Sequence, residues 1–381
     1  MNPPDLSAGA FDHQSRTRIV FGNGAAARAG ELARELGLKR VLLVTDPGIV
    51  AAGHAGRMRE SLEQAGIAAI LFGQVRENPT TADVDACLAA AREAGIDSLI
   101  GLGGGSSMDT AKGCNFLLTN GGRMEDYRGV GKAKHEMLPF IAIPTTAGTG
   151  SECQSFALIA DAATHQKMAC GDPKAAARIA LLDPALTLSQ PPRVTACTGM
   201  DALSHALESA VTKKRNALSA AYSREALRLC LTSMPRVLRD GGDMEARAGM
   251  LLGAALGGMA IENSMLGAAH AAANPLTAHF HIVHGQAVGL MLPAVIRFNA
   301  EDPAASQIYD ELGEGGAAGL AAEVESLLKL AGLPRSLEEC SVTRSSIPML
   351  AAEAAKQWTA GFNPRLAGEA EFARLFEAAF T

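Results

Sequence analysis

Asp201 and His205 stand four apart in Thr198-Gly-Met-Asp-Ala-Leu-Ser-His205, a stretch that reads as helix. That spacing puts a carboxylate and an imidazole on one helix face, one turn apart. Two more imidazoles follow in Leu266-Gly-Ala-Ala-His270 and Val283-His284-Gly285. One carboxylate oxygen and three imidazole nitrogens form a donor set suited to a divalent first-row metal. An ion held so acts as a Lewis acid toward an alcohol or carbonyl oxygen. Taken singly, each histidine is more often a satisfied core or surface residue. The second histidine pair is what argues for a shared site.

A different chemistry lies upstream. Residues 98–102, Ser-Leu-Ile-Gly-Leu, read as a short buried strand and run into Gly103-Gly104-Gly105-Ser106-Ser107-Met108-Asp109-Thr110-Ala111-Lys112. Strand, glycine turn and helix start are the parts of a phosphate cradle, in which free N–H groups and the helix dipole favour negative charge. The run departs from G-x-G-x-x-G, so a helix-capping turn fits it too. Asp109 and Lys112, three apart on that helix, read as a solvated ion pair. The apolar strand Phe140–Ile143 then ends in Pro144-Thr145-Thr146-Ala147-Gly148-Thr149-Gly150-Ser151-Glu152. Hydroxyl-rich loops at strand ends are where open α/β sheets place ligands, although an ordinary loop has this composition as well.

These groups need two kinds of scaffold. Up to about residue 185, apolar runs of strand length alternate with helical stretches: Val41–Val44, Ala68–Phe72, Leu99–Leu102, Phe140–Ile143 and Ile179–Leu182. That alternation predicts a parallel sheet flanked by helices. Beyond Pro191-Pro192 the pattern becomes long Ala/Leu-rich segments such as 216–238 and 243–264, which predict helices without strands. Prolines at 184, 191 and 192 mark a hinge. The expected division is an α/β domain over 1–188 and an all-helical domain over 189–381.

Bulk properties narrow the class. A net charge of −6 gives no basic surface for nucleic acid. No apolar stretch reaches membrane-spanning length. The polar first residues lack a signal peptide, so a cytoplasmic location is expected. Seven cysteines with no C-x-x-C suit reduced thiols.

Four motifs in order resemble the iron-containing (group III) alcohol dehydrogenase family. They are Gly-Gly-Gly-Ser-x-x-Asp-x-Ala-Lys at 103–112, Pro-Thr-Thr-x-Gly-Thr-Gly-Ser-Glu at 144–152, Gly-Met-Asp-Ala-Leu-x-His-Ala-x-Glu at 199–208 and the late His284-Gly285. The resemblance runs from Phe21-Gly22 to Asn363-Pro364-Arg365. It implies an N-terminal α/β domain that binds NAD(P) and an all-helical C-terminal domain whose Asp201, His205, His270 and His284 hold the metal. Fe²⁺ is the family's ion; Zn²⁺ and Mn²⁺ suit the same donors.

On the cofactor side the resemblance implies that Gly104, Gly105 and Ser106 belong to the pyrophosphate-binding turn, with Asp109 counted among the cofactor-binding residues. Thr145, Thr146 and Thr149 would run along the dinucleotide, Asn78 would lie near the adenosine, and Lys167 beside the cofactor. Asp46 ends the strand Val41–Thr45, where a carboxylate accepts from both ribose hydroxyls and repels a 2′-phosphate, favouring NAD over NADP; an ordinary turn aspartate also fits Asp46-Pro-Gly. The implied reaction is hydride transfer between a small primary alcohol and its aldehyde, in a homodimer or larger homo-oligomer, with the strand-like Arg18–Phe21 as a pairing edge. Maleylacetate reduction, a hydroxyacid–oxoacid transhydrogenase, a lyase of the dehydroquinate-synthase type and a non-catalytic NAD- or metal-binding descendant are the alternatives.

One departure matters. Many family members carry His-x-x-x-His where this chain has His270-Ala-Ala-Ala-Asn274. Asn274 cannot take up a proton at neutral pH, so His281, with His279 behind it, becomes the candidate proton carrier, unless both are surface histidines. The family's substrate pocket is approached by the Trp358–Phe362 segment. The lone Trp358 therefore reads either as a pocket wall or as a core anchor, with Met265 and Phe280 as weaker wall candidates.

Overall fold

The computed structural model describes residues 10–164 and 166–380. The polar start at residues 1–9, from which the location was inferred, lies outside them. The chain forms two compact units, Gln14–Gln190 and a second running from Pro191 onward that takes in residues 10–13. The change-over falls at 190/191, where the sequence pattern placed it at 188/189.

The first unit contains β1 (Arg18–Phe21), β2 (Arg40–Val44), β3 (Ala68–Phe72), β4 (Ser98–Gly103), β5 (Gly129–Val130), β6 (Phe140–Pro144), β7 (Phe156–Ala160), β8 (Lys167–Gly171) and β9 (Ile179–Leu182). Its helices are α1 (Ala29–Glu35), α2 (Pro47–Ala51), α3 (His54–Gln64), α4 (Thr81–Ala94) and α5 (Gly105–Asn120). The five runs read from the sequence are β2, β3, β4, β6 and β9. With β1 they form an all-parallel sheet of order β1-β9-β6-β4-β2-β3.

Both faces of this sheet are covered. Leu42 and Val44 enter one core with Val84 and Leu88 of α4 and Met108 of α5. Val41 and Leu43 enter the opposite core with Leu32 of α1 and Met58 and Leu62 of α3. Double burial is why these strands are continuous apolar runs rather than alternating ones. Each buried Leu or Val contributes roughly 1.5–3 kcal/mol.

A single parallel sheet was an incomplete expectation. A second, three-stranded sheet of order β5-β8-β7 joins the unit, with β7 and β8 antiparallel. β7 follows β6 with only a 3-10 turn at Ser151–Cys153 between them, so the strand–helix alternation that flags parallel strands is missing there.

The sheet sets the first site by register. Val44 of β2 pairs with Gly101 of β4, and Gly103 of β4 with Pro144 of β6. The segments that leave β2, β4 and β6 therefore emerge together at the carboxyl edge. β2 has β3 on one side and β4 on the other, so the chain changes direction across the sheet at this point. Open α/β sheets bind ligands at such a switch point.

The second unit contains α6 (Pro192–Val211), α7 (Ala217–Arg239), α8 (Met244–Asn263), α9 (Ala268–Phe280), α10 (His284–Asn299), α11 (Pro303–Leu312), α12 (Gly316–Leu330), α13 (Ile347–Ala354) and α14 (Glu369–Ala378). Among the described residues it has no strand. The stretches 216–238 and 243–264 are α7 and α8, which pack on each other and on α6, while α10 packs on α6 and α9. Among the described residues no helix is long and apolar enough to cross a membrane.

Candidate metal and dinucleotide sites

Three helices of the second unit bring the titratable residues together. α6 presents Asp201, His205 and Glu208 on its buried side, α9 presents His270, and His284 opens α10. The close approach of α10 to α6 depends on Gly285. A Cβ there would stand 2.0 Å from the Cys197 carbonyl oxygen and 3.3 Å from the Asp201 Cβ. The His-Gly pair thus has a packing reason: only glycine lets His284 sit beside Asp201.

Asp201, His270 and His284 each direct one ligand-type atom into a common space, all within 4.8 Å of one another. His205 joins through the carboxylate: its Nε2 lies 3.4 Å from Asp201 Oδ1, as does Nε2 of His270. The rings of His205 and His270 stack with centroids 5.0 Å apart, and those of His270 and His284 are 5.4 Å apart. Among the described residues, Asp201 Oδ1 and His270 Nε2 are buried with no aligned hydrogen bond. Buried polar atoms are ordinarily satisfied. Two left open and facing one another fit a site whose missing partner is a cation.

Charge argues the same way. Burial raises the Asp201 carboxyl, but His205, His270 and His284 outweigh it and hold it well below the usual carboxylate range. Burial opposes a proton on His270, but Glu208 and Asp201 outweigh that and lift it to about 9. Two carboxylates enclosed among imidazoles call for a positive charge, supplied by a proton or by a metal ion.

Glu208 was quoted in the motif without a role. It is 3% exposed, accepts from Ala269 N at 2.7 Å and contacts His270 Nδ1. Its signal was available: positions 201, 205 and 208 share one helix face.

Asn274 lies one turn beyond His270 and donates to Gln357 Oε1 at 3.0 Å. His281 is exposed and closes α9 in the left-handed region (φ 54°), and His279 pairs with Glu353 at 2.9 Å on the surface. Trp358 is 43% exposed and meets Phe362 edge-on, so it is not a core anchor. Met265 is buried in the core, and Phe280 is half-buried at the end of α9.

The first unit carries the other site. α5 begins at Gly105 with no side-chain cap on its first turn. A Cβ on Gly105 would stand 2.9 Å from the Thr149 methyl and 3.1 Å from its hydroxyl, and one on Gly104 would stand 3.4 Å from Thr146. The glycines let the hydroxyl loop lie directly on the helix start. Thr45 Oγ1, Ser107 Oγ and Thr146 Oγ1 are buried there with no hydrogen-bond partner among the described residues. Uncapped N–H groups beside open hydroxyls are suited to an anion and its neighbouring sugar.

Asp46 does two things. Its Oδ1 caps α2 by accepting from Ile49 N at 3.0 Å, and its Oδ2 lies 3.3 Å from where a Cβ on Gly103 would be. The turn role and a place beside the glycine run coexist. Asn78 is exposed with φ 52°, and Lys167 is exposed at the start of β8.

Asp109 and Lys112 are not a solvated pair. Lys112 is 1% exposed and donates to Ser151 O, Ser151 Oγ and Phe156 O at 2.6, 2.8 and 2.9 Å. Asp109 accepts from Ser151 Oγ at 2.8 Å and from Leu158 N at 3.2 Å, so both its oxygens are engaged by the chain. α5 lies against β7 and the Ser151–Cys153 turn, and the side chains that face these are buried with them. The pair braces the hydroxyl loop from below. Glu152 beside it is buried, and burial pushes its carboxyl up to about 7 against the pull of Lys112.

Residues 16–184 match the family model described as iron-containing alcohol dehydrogenase, and residues 195–380 match that of the Fe-containing alcohol dehydrogenase family, C-terminal. Alcohol dehydrogenase 4 of Schizosaccharomyces pombe is 39% identical over 75% of this chain and 68% of its own length. The NAD-dependent methanol dehydrogenase of Bacillus methanolicus is 33% identical over 94% of this chain and 97% of its own. A crystal structure of 1,3-propanediol oxidoreductase superposes with a TM-score of 0.93 at 32% identity, covering 98% of this chain and 100% of that one.

Proposed function

From the premise that the chain belongs to the iron-containing alcohol dehydrogenase family, we infer that it interconverts a small primary alcohol and its aldehyde with NAD, at a metal held by Asp201, His205, His270 and His284. Nicotinamide-linked alcohol oxidoreduction follows from the family itself. The ligands, the ion, the dinucleotide and the substrate size are our reading of the residues. Fe²⁺ is the ion we assign, with Zn²⁺ and Mn²⁺ as substitutes the donors would accept.

The observation that carries the reading is the pair of open buried atoms, Asp201 Oδ1 and His270 Nε2, converging with His284. When bound, the ion would supply Lewis acidity toward the alcohol oxygen, and the dinucleotide would supply a hydride acceptor. The chain does the rest. Asp201 supplies the negative charge that retains a cation in a buried place. The uncapped start of α5 offers N–H groups and a helix dipole to the pyrophosphate. Asp46 Oδ2 accepts from ribose hydroxyls and repels a 2′-phosphate. Thr145, Thr146 and Thr149 line the dinucleotide on the loop braced by Lys112. Asn78 and Lys167 are assigned to its periphery. Asn274 keeps its amide on Gln357 and carries no proton.

A small substrate is supported by two relatives, named for methanol and for 1,3-propanediol. A homodimer through the edge strand β1 completes the proposal. A monomeric mass by light scattering at micromolar concentration would remove that part. The central test is to strip the protein, reload it with Fe²⁺ or Zn²⁺ under anaerobic conditions, and follow reduced nicotinamide with short alcohols. Metal-restored turnover is expected. Equal turnover with and without metal would overturn the reading.

A further inference from the structure

We propose that Glu208 and Asn363 are positioning residues of the metal centre, a two-armed clamp on the first turn of α9 that fixes the place and tautomer of His270. The proposal rests on the ligand assignment above and deepens it.

The first arm is Glu208. Its Oε1 accepts from Ala269 N at 2.7 Å while its Oε2 takes the Nδ1–H of His270. A carboxylate can only accept, so the imidazole proton must sit on Nδ1. In the neutral ring Nε2 then keeps its lone pair on the side of Asp201, which is the form a metal requires.

The second arm comes from far along the chain. Asn363 is 1% exposed, and its Oδ1 accepts from Ala268 N at 3.2 Å and from Asn299 Nδ2 at 3.2 Å. Its Nδ2 donates to Asn299 Oδ1 at 2.7 Å and to Arg365 O at 2.8 Å. Both arms converge on Gly267, where a Cβ would stand 2.8 Å from Asn363 Oδ1 and 3.1 Å from Glu208 Oε1. Gly267 has no side chain with which to cap α9, so Glu208 and Asn363 satisfy the N–H groups of the first turn instead.

Arg365 ties this segment to α10. It donates to Phe298 O at 3.0 Å, stacks on the Phe298 ring at 4.0 Å and pairs with Glu301 at 2.7 Å. The Asn363-Pro364-Arg365 run thereby links α9 to α10, the helices that carry His270 and His284. Its contacts assign this run to holding two ligand-bearing helices in register.

The test uses the full chain stripped of metal and titrated with Co²⁺ against a competing chelator, with the visible d–d bands as a second readout. Wild type is compared with Asp201→Asn, Glu208→Gln and Asn363→Ala. The amide in Glu208→Gln offers one acceptor to two donors, so either Ala269 N–H or His270 Nδ1–H loses its acceptor. Co²⁺ affinity should fall roughly 10–100-fold in Glu208→Gln, with shifted bands, and by less in Asn363→Ala. Wild-type affinity in Asp201→Asn overturns the ligand reading. Loss in Asp201→Asn with wild-type affinity and bands in Glu208→Gln overturns the clamp alone. A lower melting temperature of metal-free Asn363→Ala with unchanged Co²⁺ affinity reduces Asn363 to a helix cap and overturns its part. If Glu208→Gln does not fold, nitrogen-15 spectra of Zn²⁺-loaded wild type decide: His270 protonated at Nδ1 upholds the clamp, and protonation at Nε2 overturns it.

Discussion

The two candidate sites solve opposite problems. The first-unit site is built from what side chains leave out: glycines, uncapped N–H groups and small hydroxyls gathered at one edge of a sheet. The second-unit site is built from charge: two carboxylates and three imidazoles in a helical interior. Yet each depends on a buried polar brace one layer away. Lys112 and Asp109 hold the Ser151 loop, and Glu208 holds His270. The glycine-and-hydroxyl site needs shape, and a charged brace makes that shape rigid. A charged site needs its counter-ion, and its brace chooses which nitrogen faces it.

The steepest loss should follow removal of one of the donors assigned to the metal. His270→Ala should lower metal-dependent turnover roughly a thousandfold while dinucleotide affinity holds. Metal stoichiometry and dinucleotide fluorescence titration check it, and unchanged stoichiometry would rule out the assigned ligands. Next in size is the buried brace of the other unit. Lys112→Met leaves Asp109 and the Ser151 carbonyl without their cation, and should destabilise the first unit by about 3–5 kcal/mol in denaturant melts. Co²⁺ affinity should be untouched; a matching loss of metal would show that the two braces are not independent.

Glu152 sharpens the same point through pH. Folding lifts its carboxyl from 4.5 to about 7, so between those values the folded chain holds the proton more tightly than the unfolded one. Its contribution is fully present below pH 4.5 and declines as pH rises through about 7, by roughly 3 kcal/mol in all. Glu152→Gln should therefore flatten that decline and stabilise the protein at pH 8. A stability–pH curve parallel to wild type would discount the effect of burial. The smallest expected effect is on cofactor choice. Asp46→Asn keeps the cap on α2 and removes only the charge, so NADP/NAD discrimination should relax about tenfold, or about 1.4 kcal/mol. An unchanged ratio of kcat/KM values would take Asp46 away from the ribose.

Much of this was legible in the linear chain, for reasons that differ by region. β2, β4 and β6 stood out because strands buried on both faces must be continuously apolar, whatever they pack against. β7 and β8 escaped because no helix separates them from β6, and Lys167-Met-Ala-Cys-Gly171 has neither an apolar run nor a clean alternation. The ligands Asp201 and His205 were visible as a local i, i+4 pair. Asp109 and Lys112 have nearly the same spacing, but a local ion pair says nothing about what lies over it. β7 and the Ser151 turn cover these two, and only the fold supplies that cover.

Short-range physics writes three things into the linear chain: the α/β half and the helical half, the glycine turn before α5, and the residue types able to hold a metal. How those pieces bear on one another is set by packing. Gly285 acquires its meaning from the carbonyl of Cys197, and Gly267 from Asn363 and Glu208. His270 has its tautomer chosen by a carboxylate 62 residues away. Periodicity reports which face of an element is buried. Which atom a buried nitrogen meets is settled when distant segments pack, because hydrogen bonds act over about 3 Å and the chain is indifferent to sequence distance at that range.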